Sequence, residues 1–138
     1  MNTDDAKAPQ AEDARQQAER VGAAVIELDC ASAVATLRAG DSYRRADHSA
    51  ETVAKQSGLR VVLVALRSGG RLDQHHADAP IVVHCLEGLV RFDVAGQSHE
   101  LTPGHVLVIA AGLPHAAHAT EQSAFLLTIG GSHPLHEA

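Results

Sequence analysis

Two histidine-containing segments carry the side chains with the most evident chemistry. One runs from Gly69 to Gly88 and contains the pair His75-His76, and the other runs from Gly104 to His115. Each combines a short apolar run, a glycine turn and an imidazole at the end of a predicted strand. Neutral imidazoles are common ligands of divalent transition metals, and the chain holds ten histidines. The pattern raises the hypothesis of a metal site.

Two imidazoles alone bind a first-row metal weakly, so a third ligand is needed. Side chains alternate along a strand, which puts Asp73 on the face of His75 and His118 on the face opposite to His115. His76 reaches the site only if a bulge intervenes, and His84 is a further candidate. The alternative stays open that His75 and His115 are hydrogen-bonded side chains without a metal.

The apolar runs that must position these histidines predict an all-β domain. Residues 59–66 form a β-branched run, and residues 123–129 form another. Between them, Val90, Phe92 and Val94 alternate with charged residues, as in a strand with one face toward a core. Turn signals recur at intervals of about 8 to 12 residues, which is typical of a sandwich or barrel.

The first part of the chain is more polar. Residues 1–20 predict a mobile helical leader, and residues 132–138 predict a tail. Between them, residues 24–28 predict a first strand. Asp29 or Ser32 is expected to cap a helix that ends at Gly40, and residues 41–57 are expected to be a polar connector.

Composition restricts the partners and the compartment. The formal net charge is -6 and aromatic residues make up 2% of the chain, so we expect no nucleic-acid partner. No apolar run approaches the roughly 20 residues of a membrane span. We expect no secretory signal at the polar, acidic N-terminus, and Cys30 and Cys85 are expected to be free thiols. The sequence therefore predicts a cytoplasmic protein without a membrane partner.

From residue 59 to residue 129 the sequence resembles the cupin superfamily of small β-barrels. The first cupin motif ends in a glycine, and Leu86-Glu87-Gly88 matches that end. The second motif is matched by Gly104, Gly112 and His115, with Ala110 in place of its proline. The resemblance implies a single-domain jelly-roll barrel over residues 21–131.

The metal ligands of the family, typically three histidines and one glutamate, are matched only in part. The glutamate position is Ile81, which cannot bind a metal. The His-x-His pair of the family falls either on His75 and Ala77 or on Gln74 and His76. The resemblance thus implies a divalent ion such as Zn, Ni, Fe, Mn or Cu, held by His115 together with His75, His76 or both.

A cavity beside these histidines is expected from residue size and strand parity. Ile81, Val83 and Cys85 share one face, and the small Ala117 leaves room behind His115. Such a space suits a small, largely apolar ligand or a compact organic acid. Arg60 and Arg67 flank the first long strand and are candidates to hold a carboxylate.

Three functions remain open at this point. The first is a metal-binding cupin that acts on a small molecule, as an oxygenase or an isomerase would. The second is a binding or sensing module that uses the apolar cavity without metal, and the third is a non-catalytic dimeric scaffold. A homodimer is expected in each case, through edge pairing by residues 59–66 or through an outer sheet face.

Overall fold

A computed structural model describes residues 20–131, which fold into two antiparallel sheets. The strands are β1 (His48–Gln56), β2 (Leu59–Leu66), β3 (Arg71–His75), β4 (Ile81–Glu87), β5 (Val90–Val94), β6 (Gln97–Leu101), β7 (Val106–Ile109), β8 (His115–Ala119) and β9 (Ser123–Gly130). The larger sheet has the order β1-β2-β9-β4-β7, and the smaller sheet has the order β3-β8-β5-β6. This arrangement confirms the all-β jelly roll. The predicted tail and all of the predicted leader except Arg20 lie outside the described residues.

The helices α1 (Cys30–Ala39) and α2 (Asp41–Arg45) lie directly before the first strand. The carboxylate of Asp29 accepts a hydrogen bond from the backbone N–H of Ser32 at 3.2 Å, which caps α1 as predicted. Gly40 follows the last residue of α1, where the sequence predicted the helix to end. In the described part of the chain, no helix is long and apolar enough to cross a membrane.

Two predictions for the N-terminal region are wrong. Residues 24–28 form no strand, because Ile26 and Leu28 are half-buried in a groove beside α1 and need no sheet partner. Residues 41–57 are not a simple connector, since they contain α2 and most of them form β1. β1 is an edge strand whose residues are mostly half-buried or exposed, so its polar composition is compatible with a sheet.

The main core lies between the two sheets. Phe92 from the smaller sheet and Phe125 from the larger sheet pack edge to face, with ring centroids 5.3 Å apart. The other buried members of the cluster are Val64, Leu66, Ile81, Val83, Cys85, Val90, Leu101, Ile109, Ala117 and Ala119. The alternation predicted for β5 is confirmed, because Val90 and Phe92 are buried in this cluster and Val94 packs against it.

A second apolar cluster covers the outer face of the larger sheet. Val34 and Leu37 of α1 and Tyr43 of α2 pack against Leu63, Ala65 and Ala124. Arg38 fastens α1 to the sheet, since one Nη donates to Glu87 Oε1 at 2.7 Å and the other donates to the Ser123 carbonyl at 3.1 Å. β2 is therefore an interior strand under a helix, and the expected edge pairing of residues 59–66 with a second copy is wrong.

Two crossovers between the sheets meet at one end of the barrel, here called the upper end. Residues 76–80 connect β3 to β4, and residues 110–114 connect β7 to β8. The backbone N–H of Gly112 donates to the Ala77 carbonyl at 2.8 Å and ties the crossovers together. Gly112 has a φ of 84°, a conformation that favours glycine. The two histidine-containing segments thus end side by side.

Candidate metal centre

His75 and His115 lie next to each other at the upper end of the barrel. His75 is the last residue of β3, His115 is the first residue of β8, and the two are cross-strand partners. Their ring centroids are 4.4 Å apart and the ring planes are inclined by 67°. The two histidines that sequence motifs singled out, which are remote along the chain, are therefore close enough to share a ligand.

A β-bulge in β3 aims His75 at His115. Leu72 pairs with Ala117, and His75 pairs with His115. Three residue intervals on β3 are therefore opposite only two residue intervals on β8. Ala117 and His115 are both buried, with exposed fractions of 4% each. In a regular strand the residue two positions after Leu72, Gln74, would face His115 instead. The parity argument that put Asp73 on the face of His75 fails for this reason.

Both rings are held by the same kind of hydrogen bond. His75 Nδ1 lies 2.9 Å from the Asp73 carbonyl oxygen, and His115 Nδ1 lies 3.0 Å from the Leu113 carbonyl oxygen. A carbonyl oxygen can only accept, so each Nδ1 must carry the proton and donate. In the neutral rings Nε2 then has a free lone pair, which is the arrangement that metal-binding histidines use.

Burial favours the neutral form of the His115 imidazole. Loss of solvent lowers the pKa of His115 below its ordinary value, the Leu113 carbonyl opposes this shift, and the charges of His75 and His76 lower the pKa further. His75 lies on the solvent side of the pair. The pair therefore presents one buried and one accessible nitrogen base at the entrance of the barrel.

The remaining ligand candidates are not assembled with the pair. The His76 side chain is 62% exposed, and its Nε2 lies 4.0 Å from a carboxylate oxygen of Asp78. His84 pairs with Val106 and alternates with the buried Val83 and Cys85, so it faces away from the core. Within residues 20–131 there is no group of three or more His, Cys, Asp or Glu side chains placed to hold a metal ion.

His118 lies on the outer face of the smaller sheet, beside Arg71 and Arg91 in the cross-strand register. Its Nδ1 is buried and has no hydrogen-bond partner among the described residues. His118 is one position along from the inward-facing Ala117, so its ring points away from His115.

The four predicted cavity residues belong to the buried core between the sheets. The exposed fractions are 2% for Ile81, 0% for Val83 and Cys85, and 4% for Ala117. The Cys85 thiol lies 3.5 Å from the Leu101 carbonyl, and burial raises the pKa of this thiol.

The two arginines proposed as carboxylate ligands differ in their surroundings. The Nε–H of Arg67 points to the carbonyls of Tyr43 and Ala46, each at 3.1 Å, and the guanidinium lies 4.6 Å from the centroid of the Tyr43 ring. Arg67, which follows β2, thus fastens the end of α2 to the end of β2. Arg60 is exposed and makes no such contact within residues 20–131.

The carbonyl groups of Asp73 and Leu113 are the functional groups that the sequence reasoning missed. Each lies two residues before the histidine that it orients. The only sequence signal is that each carbonyl belongs to the residue two positions before its histidine. This signal is not specific, because every histidine follows such a residue. Only the backbone geometry shows that these carbonyls turn toward the rings.

The comparisons with known proteins agree with this geometry. The profile of the family described as "Cupin domain" matches residues 62–130, which is half of the chain. No curated protein sequence matches.

Solved structures of the same fold include a conserved protein of unknown function from Streptococcus pyogenes, with 23% identity, a TM-score of 0.59, and coverage of 62% of this chain and 75% of that chain. KdgF from a Halomonas species shows 21% identity and a TM-score of 0.58 over 64% of this chain and 84% of that chain.

A salicylate 1,2-dioxygenase variant from Pseudoaminobacter salicylatoxidans shows 19% identity and a TM-score of 0.59, and the match covers 66% of this chain but 27% of that chain. At these identities the three structures establish the fold alone. Together with the matched profile and the two motif histidines at the end of a two-sheet barrel, they lead to one conclusion: the chain belongs to the cupin family.

Proposed function

We propose that this protein is a metal-binding small cupin that uses the mouth of its barrel to bind and act on a small molecule. His75 and His115 are the first two ligands of a divalent transition metal ion, through Nε2 of each ring. The observation that carries the proposal is the matched pair of hydrogen bonds from Nδ1 to backbone carbonyls at 2.9 and 3.0 Å. These bonds leave both Nε2 atoms free as bases on adjacent rings.

The residues present fit a metal ion in part. Two oriented imidazoles supply two ligand atoms. We propose His76, which follows His75 directly, as the third ligand, and this role requires its exposed side chain to turn inward. Ile81, at the position of the family's glutamate, supplies no ligand. A bound ion would act as a Lewis acid toward a small-molecule oxygen.

The protein's own residues define the environment of that molecule. His115 is fixed by its backbone hydrogen bond and excluded from solvent, so its position changes little when a ligand arrives. The buried core cluster below it includes Ile81, Val83, Cys85 and Ala117. We propose that a compact substrate presents one polar group to the histidines and an apolar part to these side chains.

Elemental analysis of protein purified without a histidine tag tests the proposal. Zn, Ni, Fe, Mn or Cu should be found near one equivalent per chain, and His115→Ala should lose most of it. His99→Ala is a matched control, since His99 is opposite Phe92 on β5 and β6 and away from the upper end. Metal-free wild-type protein whose melting temperature ignores all five added ions would contradict the proposal.

A second candidate is a binding or sensing module that works without metal. The absence of a third preassembled ligand within residues 20–131 favours it. In that case a thermal-shift screen of small molecules should give stabilising compounds whose effect is unchanged in His115→Ala protein stripped of metal. Compounds that stabilise only the metal-loaded protein would exclude this second candidate.

We also propose that two copies of the chain associate through β7. The three other sheet edges, β1, β3 and β6, carry charged residues, whereas β7 reads Val-Leu-Val-Ile. Val106 and Val108 on its outer side are 54% and 68% exposed. An uncharged edge strand is suited to pair with its own copy about a two-fold axis.

Light scattering on Val108→Lys tests this interface. The variant should be monomeric while wild type is dimeric. Val25→Lys is a matched control, because Val25 is 85% exposed but lies far from β7 in the chain. A dimer that persists in Val108→Lys would contradict the proposed interface.

We assign the protein to the cytoplasm on the ground that Cys30 and Cys85 are free thiols. Cell fractionation with a compartment marker tests this assignment.

A further inference from the structure

A cross-strand row on the inner face of the larger sheet carries two cations. Reading from β1 to β7, the register aligns Lys55, Arg60, Ile129, Ile81 and Ile109. Ile81 and Ile109 are buried in the core, and Ile129 packs against it. Directly opposed residues share one face of a sheet, so Lys55 and Arg60 continue this inward-facing row where the barrel opens to solvent.

Lys55 and Arg60 are also direct partners, which is an unfavourable pairing. Like charges placed opposite each other in an antiparallel pair repel. Among residues 20–131 neither side chain has a hydrogen bond or an ion pair to offset this repulsion. Such a pair is unusual in a chain with a net charge of -6. An anion held between the two cations would remove the repulsion.

An open groove of about 320 Å³ lies at these two side chains. Its lining consists of Lys55, Gln56, Leu59, Arg60, Ile129 and Gly130. No acidic residue is among them, so the lining itself carries two positive charges. Leu59 is 38% exposed and adds an apolar side chain to the half-buried Ile129.

The position of the groove relates it to the histidine pair. Ile129 and Ile81 are partners, and Ile81 begins β4 directly after the crossover from His75. The groove is therefore at the upper end of the barrel, on the sheet that faces the one carrying His75 and His115.

We propose that Arg60 and Lys55 form a binding site for the carboxylate of a small organic acid with a short apolar chain. The planar guanidinium of Arg60 is suited to a two-point contact with a carboxylate, and Lys55 adds a second charge. Ile129, which is opposite Arg60 on the same face of the sheet, contacts the apolar chain. This site requires no metal ion, so it can be tested independently of metal binding at the histidine pair.

Titration of ¹⁵N-labelled full-length protein with hexanoate, followed by NMR, tests the site. Hexanoate should shift the amide signals of Leu59, Arg60, Ile129 and Gly130 in a saturable manner. Arg60→Gln should weaken the apparent affinity at least about tenfold, as expected for loss of a charge-assisted contact, and Lys55→Gln should weaken it less. Arg45→Gln, at an exposed position on α2, removes the same charge elsewhere and should leave the affinity unchanged.

Three further probes define the chemistry. Hexanamide, which keeps the chain but lacks the charge, should not shift these signals. Tighter binding of inorganic phosphate than of hexanoate would overturn the assignment to an organic acid. Equal hexanoate affinity in wild type and Arg60→Gln, or shifts confined to other residues, would overturn the site itself. His115→Ala should retain the hexanoate response while losing metal, which separates a failure of this site from a failure of the metal centre.

Discussion

Replacement of Ile81 by glutamate tests whether the inner row of the larger sheet borders the metal centre. Ile81 is 2% exposed and lies between Ile109 and Ile129. By motif spacing, Ile81 also corresponds to the position at which cupins typically carry a ligating glutamate. We expect Ile81→Glu to destabilise the metal-free protein and to make its stability depend strongly on added metal.

The size of the effect follows from the burial of the site. A carboxylate at residue 81, between Ile109 and Ile129, has no partner, and the apolar contacts of Ile81 are lost. We therefore expect the free energy of unfolding to fall by about 4 kcal/mol. For a chain of this length that corresponds to a fall in melting temperature of about 12 °C. A metal ion at a hundredfold excess over its dissociation constant would restore about 2.7 kcal/mol.

Differential scanning calorimetry with and without zinc or manganese measures both effects. Ile81→Gln is the matched control, because its amide has the same length but brings no charge to a cation. The metal-induced rise in melting temperature should be several degrees larger in Ile81→Glu than in Ile81→Gln or wild type. An equal rise in all three proteins would refute the placement of residue 81 beside a metal centre.

Three other predictions concern stability and reactivity. Arg38→Met should lower the free energy of unfolding by about 2 kcal/mol, because its partly buried, charge-assisted hydrogen bonds are lost; an unchanged urea midpoint would contradict the role of Arg38 in fastening α1. The hydrogen bond with His48 lowers the pKa of Asp47 in the folded protein. The stability that Asp47 adds is therefore present above the ordinary carboxyl pKa, and it is lost as the pH falls through the lower pKa of the folded state. Asp47→Asn should therefore flatten the fall in melting temperature below about pH 4, and an identical acid profile would argue against this contribution. Burial raises the pKa of Cys85, so iodoacetamide should modify Cys30 first in the native protein; early modification of Cys85, detected by mass spectrometry, would show that the core opens readily.

The sequence was sufficient for the elements whose patterns are local. The helix α1 begins after Asp29, one of the two predicted caps, and ends at Gly40 as predicted. The apolar runs at residues 59–66 and 123–129 are strands of the larger sheet. β1 was missed because an edge strand needs few apolar residues, and its polar side chains are indistinguishable in sequence from those of a loop. Residues 24–28 have strand composition, but their contacts with α1 make a sheet unnecessary.

The candidate site depends on features that no local pattern contains. The motif spacing predicted that His75 and His115 lie in one site. A bulge between Leu72 and His75 nevertheless decides which face of the sheet His75 occupies. The cationic pair of Lys55 and Arg60 arises from the register of two strands, one of which the sequence did not predict. Cross-strand register is a property of the assembled sheet.

The protonation of the two imidazoles tests the central claim most directly. Long-range ¹H–¹⁵N NMR spectra of the histidine rings at neutral pH report which nitrogen carries the proton. We predict that Nδ1 of both His75 and His115 carries a proton in metal-free protein, and that one equivalent of zinc shifts the Nε2 signals of both rings. An Nδ1 without a proton in either ring, or an Nε2 signal that ignores zinc, would contradict the claim that this pair is built to bind a metal.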